Sequence, residues 1–271
     1  MTTSISGLFD QVRKKKPLVH QLTNFVTVND CANATLAIGG SPIMTSSPKE
    51  VGDMVKLAQA LVLNFGTIDD RSLEAMEIAG KTANDLHIPV IMDPVGVGST
   101  PYRTEKAMEL LGKVTVQVIR GNASEIHRLM GGDIVTRGVD SGELSISNAE
   151  LALLAARKLN SVVVVSGAKD AVSDPSRTSI IDNGYPLLTK VTGTGCMATA
   201  LIGAFCGITE DHYSAAIAGI STMSLSGELA AKTLKENEGT GTYRTRIIDA
   251  ISKMDKSIWE NEVNIHEEVA L

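Results

Sequence analysis

The segment from Val191 to Met197 has the residue types of an anion-binding site. It reads Val-Thr-Gly-Thr-Gly-Cys-Met and leads directly into an apolar segment at 198–205. The first turn of a helix has backbone N–H groups without partners and a partial positive charge, and glycine lets that backbone approach a ligand closely. Cys196 is expected at the helix start, where the same dipole stabilises a thiolate. The alternative interpretation is a glycine-rich turn capped by a buried cysteine.

The elements that would position this segment follow from the periodicity of the apolar residues. Short runs rich in Val, Ile and Leu predict buried strands at 60–63, 89–92, 115–119 and 162–165. Helical spacing predicts helices at 69–86, 105–111, 123–130 and 147–159, and again from 198 onward. This alternation predicts an α/β fold with a largely parallel central sheet and helices on both faces. Residues 178–189, with Asp182-Asn183-Gly184 in the middle, predict a hairpin on the sheet edge.

Small or polar residues come directly after each of these four strands. They are Asn64-Phe65-Gly66-Thr67, Asp93-Pro94-Val95-Gly96, Arg120-Gly121-Asn122 and Ser166-Gly167. Ligands of open α/β sheets bind beyond the carboxyl ends of the strands, so these residues are candidates for one site. Each group alone is also explained as an ordinary turn.

Asp93, Arg120 and Glu125 form a candidate set for magnesium and phosphate. Asp93 and Arg120 carry opposite charges at adjacent strand ends, and Glu125 lies one turn into the next predicted helix. Carboxylates hold hydrated magnesium, and the planar arginine side chain donates to phosphate oxygens. The alternative is a plain Asp–Arg salt bridge that joins two loops.

Composition excludes several classes of protein. The 271 residues, 43% of them hydrophobic, are enough for one large α/β domain over 1–271. A net charge of −6 without a basic stripe argues against a nucleic-acid partner. We expect neither a transmembrane helix nor a signal peptide from this sequence. Three scattered cysteines suit a reducing compartment, so we expect a cytoplasmic protein. Spacing also excludes a Walker motif, a nicotinamide fingerprint, and zinc or serine hydrolase signatures.

The motifs together resemble the ribokinase-like kinases. The strand ending in Asp93-Pro94-Val95-Gly96, the motif Asn122-Ala123-Ser124-Glu125 after Arg120, and the late Gly-Thr-Gly-Cys segment carry this resemblance. Within that group, the segments 20–27 (HQLTNFVT), 40–44 (GSPIM) and 192–197 (TGTGCM) resemble the hydroxyethylthiazole kinase family. The resemblance covers about residues 5–255 and implies ATP-dependent phosphorylation of the hydroxyl of 4-methyl-5-(2-hydroxyethyl)thiazole, a step of thiamine salvage. It also implies a homotrimer with active sites between subunits.

The resemblance implies a role for each matching residue. Met44 and Gly193 would contact the thiazole, with Asn24 nearby, although Met44 taken alone is also explained as an ordinary core residue. ATP would be bound by Arg120 and Ser166, and Mg²⁺ would be organised by Asp93 and Glu125. Cys196 stands where the wider ribokinase-like pattern has an aspartate base.

Two other functions are consistent with the same scaffold. A ribokinase-like NAD(P)H-hydrate dehydratase would use the same anion site, but its relatives carry Asp where this chain has Cys196. A non-catalytic nucleotide-binding protein would be expected to lack Asp93, Glu125 or the glycines, all of which are present.

Overall fold

The chain alternates strands and helices as its apolar period changes. The computed structural model describes residues 2–132 and 146–268. The strands of these ranges are β1 (Leu18–Leu22), β2 (Ser41–Ile43), β3 (Ala60–Asn64), β4 (Val90–Asp93), β5 (Val118–Asn122), β6 (Val162–Ser166), β7 (Asp170–Asp174), β8 (Arg177–Ile181) and β9 (Ile265–Glu268). The helices are α1 (Thr2–Lys15), α2 (Val28–Ile38), α3 (Val51–Val55), α4 (Asp70–Asp85), α5 (Pro101–Leu111), α6 (Ala123–Leu129), α7 (Asn148–Leu159), α8 (Thr194–Cys206), α9 (His212–Lys232), α10 (Thr240–Lys253) and α11 (Lys256–Glu262). A 3₁₀ helix spans Pro186–Lys190.

All these strands join one sheet in the order β2-β1-β3-β4-β5-β6-β7-β8-β9. The pairs from β2 to β6 are parallel, and the pairs from β6 to β9 are antiparallel. The predicted α/β fold with a largely parallel sheet is therefore confirmed. Because β3, β4, β5 and β6 are parallel neighbours, their carboxyl ends meet at one edge of the sheet.

Helices cover both faces of the sheet, as the strand sequences require. In β6, Val162 and Val164 pack into one buried cluster with residues of α1, α2 and α8–α11. Val163 and Val165 pack into a second cluster with residues of α4–α7. A strand buried on both faces explains why its sequence is a continuous run of valines rather than an alternating one.

Local signals fix where several helices begin. Capping boxes start α4 at Asp69 and α6 at Asn122, and a third starts α7 at Ser147.

The small residues of α9 allow close packing in the core: a Cβ on Gly219 would lie 2.6 Å from the Ile202 backbone of α8. Nowhere in residues 2–132 and 146–268 is there a helix with the length and hydropathy to cross a membrane.

Three expectations about the elements are wrong. The expected hairpin over 178–189 does not form, because Pro186 begins a 3₁₀ helix and β8 instead pairs with β7 and β9. The strand predicted at 115–119 is β5, Val118–Asn122, so Arg120 and Asn122 lie inside it rather than after it. The segment after residue 198 is not helical throughout, since it includes β9.

Candidate active site

The candidate site lies where the carboxyl ends of four parallel strands meet the start of α8. The last residues of β3, β4, β5 and β6 are Asn64, Asp93, Asn122 and Ser166. Asn64 is in register with Asp93, and Asn122 with Ser166. The polar groups that follow the apolar runs in the sequence therefore share one edge.

The first turn of α8 is open for an anion. Gly193 is the N-cap residue, with φ of +89°, and a Cβ there would lie 2.7 Å from Thr27 Cγ2. A Cβ on Gly195 would collide with Arg120 Nη1. Within the described ranges, the amides of Thr194, Gly195 and Cys196 have no acceptor, as is usual for a first helical turn. The glycines thus place three free N–H groups beside an arginine.

A buried amide network connects β1 and β3 to this turn. Asn24 Nδ2 donates to Asn64 Oδ1 over 2.9 Å and to Cys196 Sγ over 3.4 Å. Asn64 Nδ2 in turn donates to Asp93 Oδ2 over 3.0 Å and to Cys196 Sγ over 3.3 Å. The Thr199 hydroxyl donates to the same Asp93 oxygen over 2.8 Å. Asn64 is therefore the central residue of a network that holds Asp93 and Cys196 in place.

The Cys196 thiol is not prepared as a thiolate. Burial raises its pKa above the usual value, and the nearby charge of Asp93 raises it further. Hydrogen bonds from Asn64 and Asn24 act in the opposite direction and are smaller effects. Desolvation of the charged form thus favours the neutral thiol here, and stabilisation of a thiolate by the dipole of α8 stays a prediction.

Asp93 and Arg120 form an incomplete pair at this edge. Arg120 Nη1 lies 3.8 Å from Asp93 Oδ1, beyond hydrogen-bond distance, and Oδ1 has no partner among the described residues. Burial raises the pKa of Asp93 to about 6, with the charge of Arg120 opposing the shift. Arg120 Nη2 donates to Ser166 Oγ over 2.7 Å, whereas Arg120 Nε is buried without an acceptor. One carboxylate oxygen and the Arg120 Nε–H are thus buried without a hydrogen-bond partner among the described residues.

Glu125 is held by backbone donors. Its Oε1 accepts the Gly96 N–H over 2.8 Å and its Oε2 accepts the Asn122 N–H over 2.9 Å. Among residues 2–132 and 146–268, no group of three or more His, Cys, Asp or Glu side chains is arranged to hold a metal ion directly. A cation here would therefore bind mostly through water, with Asp93 Oδ1 as the one unpartnered carboxylate oxygen of the pair.

A cavity of about 560 Å³ opens beside Arg120, Ser166 and Gly195. Its wall also includes Tyr185 and Met223. This volume lies in the range of small-molecule and cofactor sites. The anion-binding turn of α8 is therefore at the border of a space that can accept a larger ligand.

Met44 and Asn24 follow strands at the far end of the parallel part of the sheet from this cavity. Met44 directly follows β2, the outermost parallel strand, and Asn24 follows its neighbour β1. The backbone next to Met44 is tethered by the buried His20, whose Nε2 lies 2.9 Å from the carbonyl oxygen of Thr45. Neither Met44 nor Asn24 lines the cavity.

Sequence reasoning missed two residues of the network. Asn64 is one of the strand-end candidates but has no predicted role, and Thr199 is not among the candidates. The position of Thr199, one turn after Gly195 on α8, is the only sequence signal that places its hydroxyl near the same edge.

Comparisons with known proteins find relatives over nearly the whole chain. A model described as "Hydroxyethylthiazole kinase family" matches residues 9–257. A hydroxyethylthiazole kinase of Ruminiclostridium cellulolyticum is 48% identical over 269 residues, which are 98% of each chain. The solved structure of a hydroxyethylthiazole kinase protein from Pyrococcus horikoshii OT3 has a TM-score of 0.89 at 37% identity and covers 98% of this chain and 99% of its own. An ADP/ATP-dependent NAD(P)H-hydrate dehydratase from Bacillus subtilis, co-crystallised with ATP/Mg²⁺, has a TM-score of 0.61 at 15% identity over 92% and 91%, which shows likeness of fold alone. The fold is ribokinase-like.

Proposed function

We propose that this chain, which belongs to the hydroxyethylthiazole kinase family, transfers the γ-phosphoryl group of ATP to the hydroxyl of 4-methyl-5-(2-hydroxyethyl)thiazole. One observation carries this proposal: three free amides at the start of α8 lie beside Arg120, next to a cavity of about 560 Å³. Phosphoryl transfer is catalysed mainly by positioning and by stabilisation of charge on the phosphoryl oxygens, which such amides supply.

The nucleotide occupies the cavity in this proposal. Arg120 and Ser166 contact the phosphates, and their mutual hydrogen bond of 2.7 Å presents the free Arg120 N–H groups toward the α8 turn. The terminal phosphoryl group then lies at the N–H groups of Thr194, Gly195 and Cys196. A side chain at Gly195 would displace the Arg120 guanidinium group from this position.

The acidic residues of the site fit a hydrated Mg²⁺ that they would contact through water. Asp93 Oδ1, buried without a hydrogen-bond partner, is the natural contact, and Glu125 adds a second negative charge nearby. When bound, Mg²⁺ would neutralise negative charge on the phosphate oxygens of ATP.

The thiazole alcohol binds on the Asn24 side of α8 in this proposal, in contact with Met44 and Gly193. Its hydroxyl oxygen forms the new bond to the γ-phosphorus while the bond to the β–γ bridging oxygen breaks, and ADP leaves. The alcohol proton is lost late, because the transition state is loose. Cys196 is the acceptor in this proposal, and because its raised pKa keeps it protonated as a thiol, it contributes little as a base.

The active unit is a homotrimer in this proposal, with each site completed by a neighbouring subunit. Two apolar side chains beside the site support it: Phe25 is 79% exposed and Val26 is 58% exposed, and both lie between the buried residues Asn24 and Thr27. An exposed apolar pair adjoining a binding site is typical of a surface that is covered in the assembled protein.

A coupled assay of ADP release tests the proposed activity. The hydroxyethylthiazole is compared with hydroxymethylpyrimidine, pyridoxal and NADHX as acceptors at equal concentration. A strong preference for the thiazole is expected, and the phosphorylated alcohol should appear in equal amount to ADP. Preference for pyridoxal or the pyrimidine would reassign the substrate, and ADP release with NADHX but not the thiazole would support the dehydratase instead.

A further inference from the structure

A buried carboxylate in the wall of the cavity has no part in the chemistry proposed above. Asp170, the first residue of β7, is only 4% exposed and lines the cavity together with Arg120 and Ser166. One of its oxygens accepts the Gly167 N–H over 3.0 Å, and the other accepts the Ser224 hydroxyl over 2.7 Å. Burial raises the pKa of this carboxyl, so the fold keeps an acidic group where its charge is unfavourable.

The two hydrogen bonds of Asp170 join two different elements of the cavity lining. Gly167 belongs to the turn between β6 and β7, and Ser224 belongs to α9. Both residues also line the cavity. Asp170 therefore sets the separation between the β6–β7 turn and α9.

The same turn controls Arg120. Ser166 immediately precedes Gly167 and accepts the hydrogen bond from Arg120 Nη2 over 2.7 Å, while its own hydroxyl donates to the Gly121 carbonyl over 3.3 Å. A continuous series of contacts thus runs from Asp170 through Gly167 and Ser166 to the guanidinium group. A shift of the turn would move Ser166 and, with it, the Arg120 guanidinium group, whose Nε has no acceptor among the described residues.

We propose that Asp170 is a positioning residue for the nucleotide: through Gly167 and Ser224 it fixes the cavity walls, and through Ser166 it orients Arg120. This inference rests on the proposed function in taking the cavity as the nucleotide site. It assigns Asp170 no contact with the reacting atoms.

Asp170→Ala and Asp170→Asn separate this role from a general need for charge. Asn keeps the size of the side chain, its oxygen accepts the Gly167 N–H, and its amide donates to the Ser224 oxygen, so both tethers are retained. Ala removes both. We expect Asp170→Ala to raise KM for ATP about tenfold, while KM for the thiazole changes less than about twofold and Asp170→Asn stays within about threefold of the parent chain.

Asp174→Ala is the matched control. Asp174 is the last residue of the same strand, and its carboxylate also accepts a turn amide, that of Ser176 over 2.8 Å, but it does not line the cavity. Asp174→Ala should lower the melting temperature without changing KM for ATP. Ser224→Ala, which removes one tether only, should raise KM for ATP by a smaller factor than Asp170→Ala.

Titration with a fluorescent ATP analogue provides a readout that does not depend on the thiazole reaction. Weaker binding to Asp170→Ala and Ser224→Ala, with binding to Asp170→Asn preserved, supports the positioning role even if the acceptor proves to be another alcohol. Unchanged nucleotide binding in Ser224→Ala and folded Asp170→Ala would overturn it, as would an equal loss in Asp170→Asn. Should Asp170→Ala not fold, the comparison of Ser224→Ala with Asp170→Asn and Asp174→Ala decides between these outcomes.

Discussion

Cys196 shows how the local environment decides the chemistry of a single residue. Two amide groups, Asn24 Nδ2 and Asn64 Nδ2, donate toward its sulfur, yet burial still raises the pKa of the thiol. Two donors thus point at the sulfur, but the raised pKa favours the neutral thiol over the thiolate that could accept a proton. The three free amides of α8 should contribute more, since removal of one comparable donor typically costs about 2.7–4 kcal/mol of barrier.

Substitution of Cys196 tests whether the thiol contributes less to catalysis than the amides of α8 do. Cys196→Ala should lower kcat by less than about 100-fold, the lower limit for a general base, because the proton is lost late. Cys196→Asp should keep or raise kcat, since both amide donors find a carboxylate oxygen. Steady-state kinetics with saturating ATP measure both values. A folded Asp variant with no detectable phosphorylation would rule out a base at this position.

Arg120 has donors that are not paired among the described residues. Its Nε has no acceptor there, and its Nη1 lies 3.8 Å from Asp93 Oδ1. Hydrogen bonds to charged groups contribute about 1.5–3 kcal/mol, so Arg120→Ala should raise KM for ATP roughly 10- to 100-fold. KM for the thiazole, measured at saturating ATP, should change little. An unchanged KM for ATP would remove Arg120 from the nucleotide site.

At the scale of elements, the strands with strong local signals were predictable and the others were not. The valines of β6 are buried on both faces, and such a run is recognisable from sequence alone. β9, Ile265–Glu268, has two glutamates in four residues and is a strand only because β8 pairs with it. Asn183-Gly184 resembles a hairpin turn, but Asn183 instead bonds Glu228 and Asn264, 45 and 81 residues away in sequence.

The candidate site shows the same difference between features with a local sequence signal and features that depend on distant residues. Its polar strand ends were predictable, because parallel strands bring their carboxyl ends to one edge. The network around Asn64 was not, since its bonds to Asp93 and Cys196 join residues 29 and 132 positions apart. The individual roles of Asp93, Glu125, Arg120, Ser166, Met44, Gly193 and Asn24 stay predictions.

The loop after β2 depends on one buried histidine. A carbonyl oxygen only accepts, so the 2.9 Å contact of His20 Nε2 with Thr45 requires a proton on Nε2, and Nδ1 has no partner in the part of the chain that the structure describes. Burial lowers the pKa of His20, opposed by the Thr45 hydrogen bond and the charge of Glu50. The unfolded chain therefore takes up a proton at His20 at higher pH than the folded one does.

Protonation of His20 should lower the stability of the protein as pH decreases. As pH decreases below about 6.5, the usual pKa of histidine, His20 stabilises the unfolded state and the free energy of unfolding decreases. Gln has an amide that can replace Nε2 but does not titrate, so His20→Gln should lose less stability than the parent chain between pH 7.5 and 5.5. Urea denaturation at both pH values measures the difference. Parallel losses in the two proteins would show that His20 does not titrate in this way.

At the scale of the whole molecule, the site edge carries an unusual apolar surface. Phe25 and Val26 are 79% and 58% exposed, although their neighbours Asn24 and Thr27 are buried against Cys196 and Gly193. A short link between an exposed apolar pair and the binding residues means that whatever covers Phe25 also affects the site. The proposed homotrimer supplies such a cover from a second copy of the chain.

Phe25→Asp should therefore break assembly and activity together. Light scattering after size exclusion should give three times the 28.6 kDa chain mass for the parent protein and a lower mass for the variant. KM for the thiazole should rise in the variant, because a charge at the interface disturbs the segment that carries Asn24. Leu154→Asp is the control: Leu154 is 46% exposed on α7, which packs on the opposite face of the sheet from α2. A Phe25→Asp protein that keeps the mass and the kinetics of the parent would place the subunit interface elsewhere.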